Sequence, residues 1–340
     1  MIYILYFFIA LGLLFYILTY PYKFRLARKL RRVLGFGQVT HIKNIDKDFS
    51  SISQEVLDKY LRIEKKRFSN SNYIKENLEY TIITNRDVDR DDIPCLVLLH
   101  GLRDSSNDWL DRAKICENYL LLRLNNKIDP INIILIDSGY QGTSWYTNFY
   151  KNDSFRYEDY IMKELIPMFK GIFPKSKFGI AGFSMGGYGA FKLGLKHPDV
   201  FDVVGSFSGA ISIIRMSVNR RVIRLFKFLY IPKFLFKSED KLQFLNVFSS
   251  WGYEILKEDP YTLTKKLDIN KFKDKYFYAS VGENDVVSHL MLQQWTDTVG
   301  RMKKYKYNFI GYLCEDEVHT WEYVSRDLAN FLVYFDEKIK

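Results

Sequence analysis

Residues 178–191 read FGIAGFSMGGYGAF, a short apolar run that passes through a glycine-flanked serine into a helical pattern. The centre of this stretch matches Gly-x-Ser-x-Gly, with Ser184 between Gly182 and Gly186. The two glycines allow a sharp turn from strand to helix, which places the Ser184 hydroxyl at the carboxyl edge of a sheet. The pattern predicts a nucleophilic serine. A glycine-rich turn that only packs the helix on the strand is the alternative.

Apolar runs and amphipathic segments alternate on both sides of this stretch. The predicted strands lie at 78–84, 95–99, 131–137, 178–182, 202–209, 275–282 and 306–313. The predicted helices lie near 107–123, 157–170, 187–197, 288–303 and 320–338. This alternation indicates an α/β fold with a mostly parallel sheet and helices on both faces. Residues 211–270 interrupt the alternation, and we predict an inserted cap there.

A nucleophilic serine needs a general base, and the base needs a carboxylate that fixes its tautomer. Where the serine lies on this kind of turn, the acid and then the histidine follow it along the chain. Asp285 follows a predicted strand and His319 follows the last one, so both are the predicted partners of Ser184. The alternatives that the sequence leaves open are His289 for the base and Glu283 for the acid, whereas Asp316 is too close in sequence to His319 to suit this role.

Acyl transfer also requires two N–H donors for the oxyanion that forms at the attacked carbonyl. The backbone N–H of Met185 is one expected donor, because it follows the serine at the start of a predicted helix. The other is expected from the turn after strand 95–99, most plausibly the N–H of Leu102. The three cysteines show no metal-ligand spacing and cannot form a disulfide framework, so neither a metal nor an organic cofactor is predicted.

Five blocks in this order resemble the serine esterases of the α/β-hydrolase superfamily, in the group of esterase D, tributyrin esterases and mycolyltransferases. They are LLHGLRDSSNDWL (98–110), IDSGYQGTSWYTN (136–148), YEDYIMKELIPMF (157–169), GFSMGGYGAF (182–191) and VHTWEY (318–323). The resemblance implies an α/β-hydrolase fold and hydrolysis of a small-molecule or lipid-like carboxylic ester. It also implies the triad Ser184, Asp285 and His319 with Leu102 and Met185 as oxyanion donors. Acyl transfer to a sugar or lipid hydroxyl and a non-catalytic scaffold are the alternatives.

The N-terminus predicts a membrane anchor. Residues 2–20 carry no charge, and a helix of this length spans about 28 Å, close to the thickness of a bilayer core. Six basic residues and no acidic one follow within residues 21–32. The positive-inside rule therefore predicts a single-pass protein whose catalytic domain lies on the cytoplasmic side. Membrane lipids are the expected partners of residues 2–32.

The predicted organisation has three parts. A transmembrane anchor covers residues 1–21, a basic juxtamembrane segment with a connecting helix covers 22–77, and the catalytic domain covers 78–340. The connecting helix is predicted from the spacing of apolar residues over 52–67.

The net charge of +10 is unevenly distributed. It is concentrated in residues 21–32 and 211–237, and acidic residues outnumber basic ones in the rest of the chain. This distribution argues against a nucleic-acid-binding surface on the folded core. Within the insert, residues 219–231 are both basic and hydrophobic, which suits a membrane surface or the entrance for an amphiphilic substrate. An ordinary packed helix is the alternative.

Overall fold

The computed structural model describes residues 2–19, 40–42, 52–216, 225, 227–235, 238–286 and 290–340. Within these residues, nine strands form one sheet: β1 (Thr40–Ile42), β2 (Leu61–Phe68), β3 (Leu78–Asn85), β4 (Cys95–Leu99), β5 (Asn132–Ile136), β6 (Phe178–Phe183), β7 (Val203–Phe207), β8 (Tyr276–Gly282) and β9 (Asn308–Cys314). The strand order is β1-β9-β8-β7-β6-β4-β5-β3-β2. Strand β3 runs antiparallel to its neighbours β2 and β5, and all the remaining pairs of neighbouring strands are parallel. The prediction of a mostly parallel sheet is confirmed.

The described α-helices are α1 (Ile2–Thr19), α2 (Gln54–Tyr60), α3 (Asp108–Asp111), α4 (Ile115–Leu124), α5 (Tyr157–Tyr160), α6 (Ile166–Ile172), α7 (Met185–Lys196), α8 (Glu239–Phe248), α9 (Gly252–Lys257), α10 (Pro260–Lys266), α11 (Met291–Lys304) and α12 (Trp321–Ile339). A π-helical turn, Ile161–Leu165, joins α5 to α6, and short 3-10 helices cover Ile213–Met216, Lys233–Leu235 and Ile269–Phe272. Helices cover both faces of the sheet, as predicted.

Each face of the sheet has its own hydrophobic core. Helices α7 and α11 contribute to one core, and α4 and α12 contribute to the other. Every residue of the central strands β4, β5, β6 and β7 is buried, which explains why these strands are short continuous apolar runs in the sequence. The helices and the buried strands therefore fix the positions of the turns at the carboxyl edge of the sheet.

A buried group of charges joins α7 to α5 and to the inserted region. Lys192 on α7 is fully buried, and its Nζ lies 2.9 Å from a carboxylate oxygen of Glu158 on α5. Lys196 lies within hydrogen-bonding distance of both Glu158 and Glu258, and Glu258 follows α9. Burial alone raises the pKa of Glu158, but Lys192, His197 and Lys196 outweigh burial and hold this pKa well below the ordinary value.

The helix predicted over residues 52–67 is correct only in its first part. Helix α2 ends at Tyr60, and Leu61–Phe68 form strand β2, which pairs with β3 along its whole length. The charges on β2 follow the strand period of two, since Glu64 contacts Arg62 and Lys66. Pairing with β3 therefore overrides the local helical spacing. Strand β2 lies before residue 78, where the sequence places the start of the catalytic domain.

Helix α1 occupies the segment for which the anchor is predicted. The large apolar side chains of its described part are exposed, including Tyr3 at 84%. Among the residues that the structure describes, no helix is both long and apolar enough to cross a membrane. The transmembrane helix predicted over residues 2–20 is therefore not supported.

The segment between β7 and β8 is an insertion of helices, as the sequence predicts for residues 211–270. It contains α8, α9 and α10, and part of the basic stretch 219–231 lies outside the described residues. Its described portions pair with each other through a short antiparallel bridge between Tyr230 and Trp251.

Candidate active site

Ser184 lies between β6 and α7, at the carboxyl edge of the sheet. Its backbone has φ 55° and ψ −113°, a conformation that non-glycine residues rarely adopt. Gly182 and Gly186 make this turn possible, because a Cβ on Gly182 would overlap the backbone of Gly186. The Ser184 N–H donates a hydrogen bond to the Phe207 carbonyl on β7, at 3.0 Å, which holds the turn against the sheet. The strand–turn–helix context predicted from the sequence is present.

Gly186 brings the start of α7 against the end of β4. A Cβ at Gly186 would overlap the Leu99 carbonyl oxygen and would lie 2.7 Å from the His100 carbonyl oxygen. The turn that follows β4 contains Leu102, and the start of α7 contains Met185. The two segments expected to supply the oxyanion donors are thus in direct backbone contact. Met185 is the first residue of α7, so its N–H has no acceptor within the helix.

The structure brings the predicted acid, base and nucleophile together. The Nε2 atom of His319 lies 2.9 Å from Oγ of Ser184, and its Nδ1 atom lies 2.7 Å from Oδ2 of Asp285. The Asp285 side chain is 2% exposed, whereas that of His319 is 25% exposed. A carboxylate on one ring nitrogen and a hydroxyl on the other is the arrangement that proton transfer from a serine requires.

Two loops that hold the acid and the base are hydrogen-bonded to each other. The Asn284 N–H donates to the Glu317 carbonyl at 2.8 Å, and the Glu283 N–H donates to the Cys314 carbonyl at the same distance. Gly282 permits this approach, because a Cβ there would lie 2.5 Å from the Glu317 carbonyl oxygen. The distance between Asp285 and His319 is therefore fixed by backbone contacts.

Neither Glu283 nor Asp316 is the carboxylate that the structure places on Nδ1 of His319. The backbone N–H of Glu283 binds the β9 loop, and Asp316 is an exposed residue at a positive φ of 56°. His289 lies outside the described residues. Asp285 is thus the carboxylate that contacts His319 in the described part of the chain.

The imidazole of His319 is supported by side chains that the sequence analysis does not single out. The Phe183 ring lies 4.7 Å from it, centroid to centroid, and Trp321 packs on Phe183. Glu317 is mostly buried and accepts two 2.6 Å hydrogen bonds from the Arg326 guanidinium. The sequence could have indicated a role for Phe183, because this residue directly precedes Ser184. It carries no signal for the Glu317–Arg326 pair, which forms only in the folded chain.

His100 lies in a buried polar environment in the turn after β4. Its ring is buried, and Nε2 accepts a hydrogen bond from the Ser138 N–H at 2.9 Å. The proton therefore resides on Nδ1, which donates to the Gly101 carbonyl at 2.8 Å. Burial lowers the pKa of His100, which keeps the ring neutral and fixes the turn that contains Leu102.

A polar cavity of about 570 Å³ opens between the turn after β4 and the insert. Arg103, next to Leu102, lines it together with Gln243 and Asn246 of α8. Glu76 also lines it, and its carboxylate accepts hydrogen bonds from the Tyr140 N–H and the Tyr157 hydroxyl. Arg103 forms an ion pair with Asp240, and this pair joins the turn to α8. The cavity can accommodate a polar group larger than water.

The described residues contain no cluster of histidine, cysteine or acidic side chains that could hold a metal ion. The side chains that meet at the site are the Ser184 hydroxyl, the His319 imidazole and the Asp285 carboxylate.

Residues 71–335 match the family model described as "Putative esterase". The chain belongs to this esterase family. Members of the family hydrolyse ester bonds, and this protein is an esterase enzyme of the serine hydrolase type. Its family membership covers the region that contains the nucleophile turn, the acid loop and the histidine loop.

Individual relatives agree with the family assignment. An acetyl esterase from Caldicellulosiruptor saccharolyticus is 26% identical over 263 residues, which cover 72% of this chain and 84% of that protein. An S-formylglutathione hydrolase from Agrobacterium tumefaciens has a similar structure, with a TM-score of 0.65, 12% identity, and coverage of 88% of this chain and 100% of the other. The fluorophosphonate-binding serine hydrolase FphF from Staphylococcus aureus has a TM-score of 0.60 and 20% identity, with 81% and 98% covered. These structures share the α/β-hydrolase fold with this esterase.

Proposed function

We propose that the esterase hydrolyses a carboxylic ester through an acyl-enzyme on Ser184. The Ser184 Oγ attacks the acyl carbonyl while His319 Nε2 accepts its proton, and Asp285 stabilises the imidazolium. The backbone N–H groups of Leu102 and Met185 stabilise the oxyanion. His319 then returns the proton to the departing alcohol. Water attacks the acyl-enzyme with His319 as base, which releases the acid and restores Ser184.

The observation that supports this proposal is the continuous contact from carboxylate to imidazole to hydroxyl. Distances of 2.7 Å and 2.9 Å are within hydrogen-bonding range without any rearrangement. The base is therefore already placed to accept the proton of the nucleophile when the substrate arrives.

A Ser184→Ala variant tests the proposal. We expect turnover of p-nitrophenyl acetate to fall by roughly 10⁴-fold or more, and labelling by a fluorophosphonate to be lost. Ser176→Ala is a matched control, because Ser176 lies before β6, at the opposite end of the strand that leads to Ser184, and donates to the Ile93 carbonyl. Retained turnover and labelling in Ser184→Ala, with a folded protein, would reject the proposed nucleophile.

Acyl transfer to an alcohol is a second candidate, and the polar cavity beside Arg103 favours it. Thr143, Gln243 and Asn246 line the cavity, and an acceptor's hydroxyls would replace their present partners Tyr140, Thr143 and Lys233. Adding glycerol or a disaccharide to the p-nitrophenyl acetate reaction distinguishes the two functions. Formation of the acetylated alcohol faster than acetate supports transfer, whereas acetate alone supports hydrolysis.

We also propose that α1 attaches the esterase to a membrane surface. The support is its run of exposed apolar side chains, with no charged residue in positions 2–20. The basic residues within 21–32 favour the anionic cytoplasmic leaflet, so the catalytic domain is proposed to face the cytoplasm.

Flotation of the full chain with phosphatidylcholine vesicles tests this attachment. We expect Leu5→Glu with Ile9→Glu to reduce the bound fraction several-fold, while Leu124→Glu with Ile172→Glu, at exposed apolar positions elsewhere, leaves it unchanged. Equal binding of both variants would contradict the role of α1. Digestion of the catalytic domain by a protease added to intact cells would contradict the cytoplasmic location.

A further inference from the structure

Exposed apolar side chains are concentrated in a second place on the described chain besides α1. We call this the aromatic surface, and it consists of Leu225, Phe228, Leu229, Tyr230, Phe234, Trp251 and Tyr253. The side chains of Phe234 and Phe228 are 84% and 71% exposed. Outside α1 and this surface, the other exposed large apolar residues of the described chain are Ile63, Leu124, Ile172 and Val318, which are dispersed along the sequence. A concentration of this kind indicates an interaction site rather than ordinary surface composition.

Backbone contacts hold the two halves of the aromatic surface together. The Ile231 N–H donates to the Ser250 carbonyl at 2.8 Å, and the Gly252 N–H donates to the Leu229 carbonyl at 2.9 Å. The rings of Tyr230 and Trp251 lie 4.9 Å apart as a consequence. The exposed aromatic side chains are thus presented by a defined backbone.

The segment 211–237, which contributes five of the seven residues of the aromatic surface, is basic in sequence, and Glu254 beside Tyr253 is paired with Lys257. Residues 211–237 contain seven basic residues and no acidic residue. In the described part of this segment, the Lys227 Nζ lies 4.5 Å from the centroid of the Phe228 ring, and Lys233 binds the neutral amide oxygen of Asn246. The partner that complements this surface is therefore both apolar and anionic.

An anionic lipid surface fits these features better than a protein. Aromatic residues combined with Lys and Arg are typical of segments that lie in the headgroup region, where the rings are buried and the cations remain hydrated. Protein interfaces are enriched in aromatic residues but depleted of Lys. We propose that the aromatic surface docks on the headgroup region of an anionic bilayer, as a contact separate from α1.

Helix α8 links the aromatic surface to the polar cavity. Lys233, the neighbour of Phe234, donates to Asn246 of α8, and Asn246 lines the cavity. On the same helix, Asp240 pairs with Arg103, the neighbour of Leu102. The polar cavity therefore lies between the docking surface and the turn that supplies the expected oxyanion donor.

A label at position 234 of the full chain tests the docking directly. The three native cysteines are buried, and burial raises the pKa of Cys95 and of Cys116 to about 12, so an added surface cysteine reacts selectively. We compare Phe234→Cys with the control Ile172→Cys, each carrying a fluorophore, on vesicles that contain nitroxide-labelled lipid. Equal parts of phosphatidylcholine and phosphatidylglycerol give the anionic surface, and phosphatidylcholine alone gives the neutral one.

We expect nitroxide quenching to be at least threefold greater at position 234 than at position 172 on the anionic vesicles. Adding Lys227→Glu and Lys233→Glu should reduce quenching at 234 towards the control value, with thermal unfolding used to confirm that the variants fold. Equal quenching at 234 and 172 would overturn the proposal and would favour a protein partner. Equal quenching at 234 on neutral and anionic vesicles would overturn the proposed recognition of anionic lipid. Because quenching reports contact and not turnover, neither result depends on the ester hydrolysis proposed for Ser184.

Discussion

Gly186 lies against the backbone of Leu99, so closely that the position has no room for a side chain. This contact holds the start of α7 beside the turn that contains Leu102. We expect Gly186→Ala to reduce kcat by at least tenfold and to destabilise the fold by roughly 1–3 kcal/mol, because the added methyl group pushes the two backbones apart. Steady-state kinetics and urea unfolding measure the two effects.

Gly300→Ala is the matched control for this change. Gly300 lies within α11, and nothing lies within 4 Å of the Cβ that alanine would add. The substitution should therefore stabilise the protein by about 0.5–1 kcal/mol through helix propensity and leave kcat unchanged. Similar losses of activity in both variants would mean that the approach of Gly186 to Leu99 has no special role.

Asp285→Asn should lower kcat for p-nitrophenyl acetate by roughly 10²–10⁴-fold with little change in the fold. The amide cannot stabilise the His319 imidazolium, and it can hold the ring in the wrong tautomer. Asp316→Asn is the control, because Asp316 is exposed in the neighbouring loop and asparagine tolerates its positive φ. If kcat fell less in Asp285→Asn than in Asp316→Asn, Asp285 would have no place in the proposed mechanism.

Glu158→Gln should destabilise the esterase by about 3–5 kcal/mol at pH 7, because it leaves Lys192 buried without its nearest carboxylate. The folded pKa of Glu158 is below its unfolded value, so the unfolded state binds more protons as the pH falls below about 4.5. The stabilisation by Glu158 is therefore fully present above that pH and is lost as the pH falls through the folded pKa.

Urea unfolding at pH 7, 5 and 4 measures this dependence. The difference between wild type and Glu158→Gln should be constant from pH 7 to 5 and should shrink at lower pH. The control is Glu79→Gln, because Glu79 pairs with Arg67 at the surface and should contribute less than about 1 kcal/mol. A difference that grows on acidification would contradict the assigned sign.

The burial of His100 should make the free energy of unfolding depend on pH in a second range, higher than the range for Glu158. Its folded pKa is lowered by burial, so below pH 6.5 the unfolded chain takes up a proton that the folded chain does not. The free energy of unfolding should fall as the pH decreases from 6.5 towards the folded pKa. His100→Gln should show a shallower slope in this range, whatever its stability at pH 7. An unchanged slope would show that other groups cause the acid sensitivity.

The convergence of Ser184, Asp285 and His319 could be predicted from the sequence because each residue follows a strand of the parallel part of the sheet. Parallel strands place their carboxyl ends at one edge, so Ser184 after β6, Asp285 after β8 and His319 after β9 converge although they are far apart in sequence. The short apolar runs also predicted the first and last residues of the central strands to within about two positions, which is the usual accuracy of such boundaries.

The parts that could not be predicted depend on long-range contacts. Residues 61–67 have helical spacing and many charges, and only the pairing with β3 makes them a strand. Phe183 and Arg326 are ordinary residues in the sequence, and their roles come from packing beside His319 and from pairing with Glu317. The length of the apolar N-terminal segment suggested a span, but no helix among the described residues is long and apolar enough to cross a membrane.

Because backbone hydrogen bonds tie the loop of Asp285 to that of His319, the two residues form a rigid couple that does not rely on the insert for its alignment. The region between β7 and β8 can therefore change in length or sequence while the spacing between the Asp285 carboxylate and the His319 imidazole is kept.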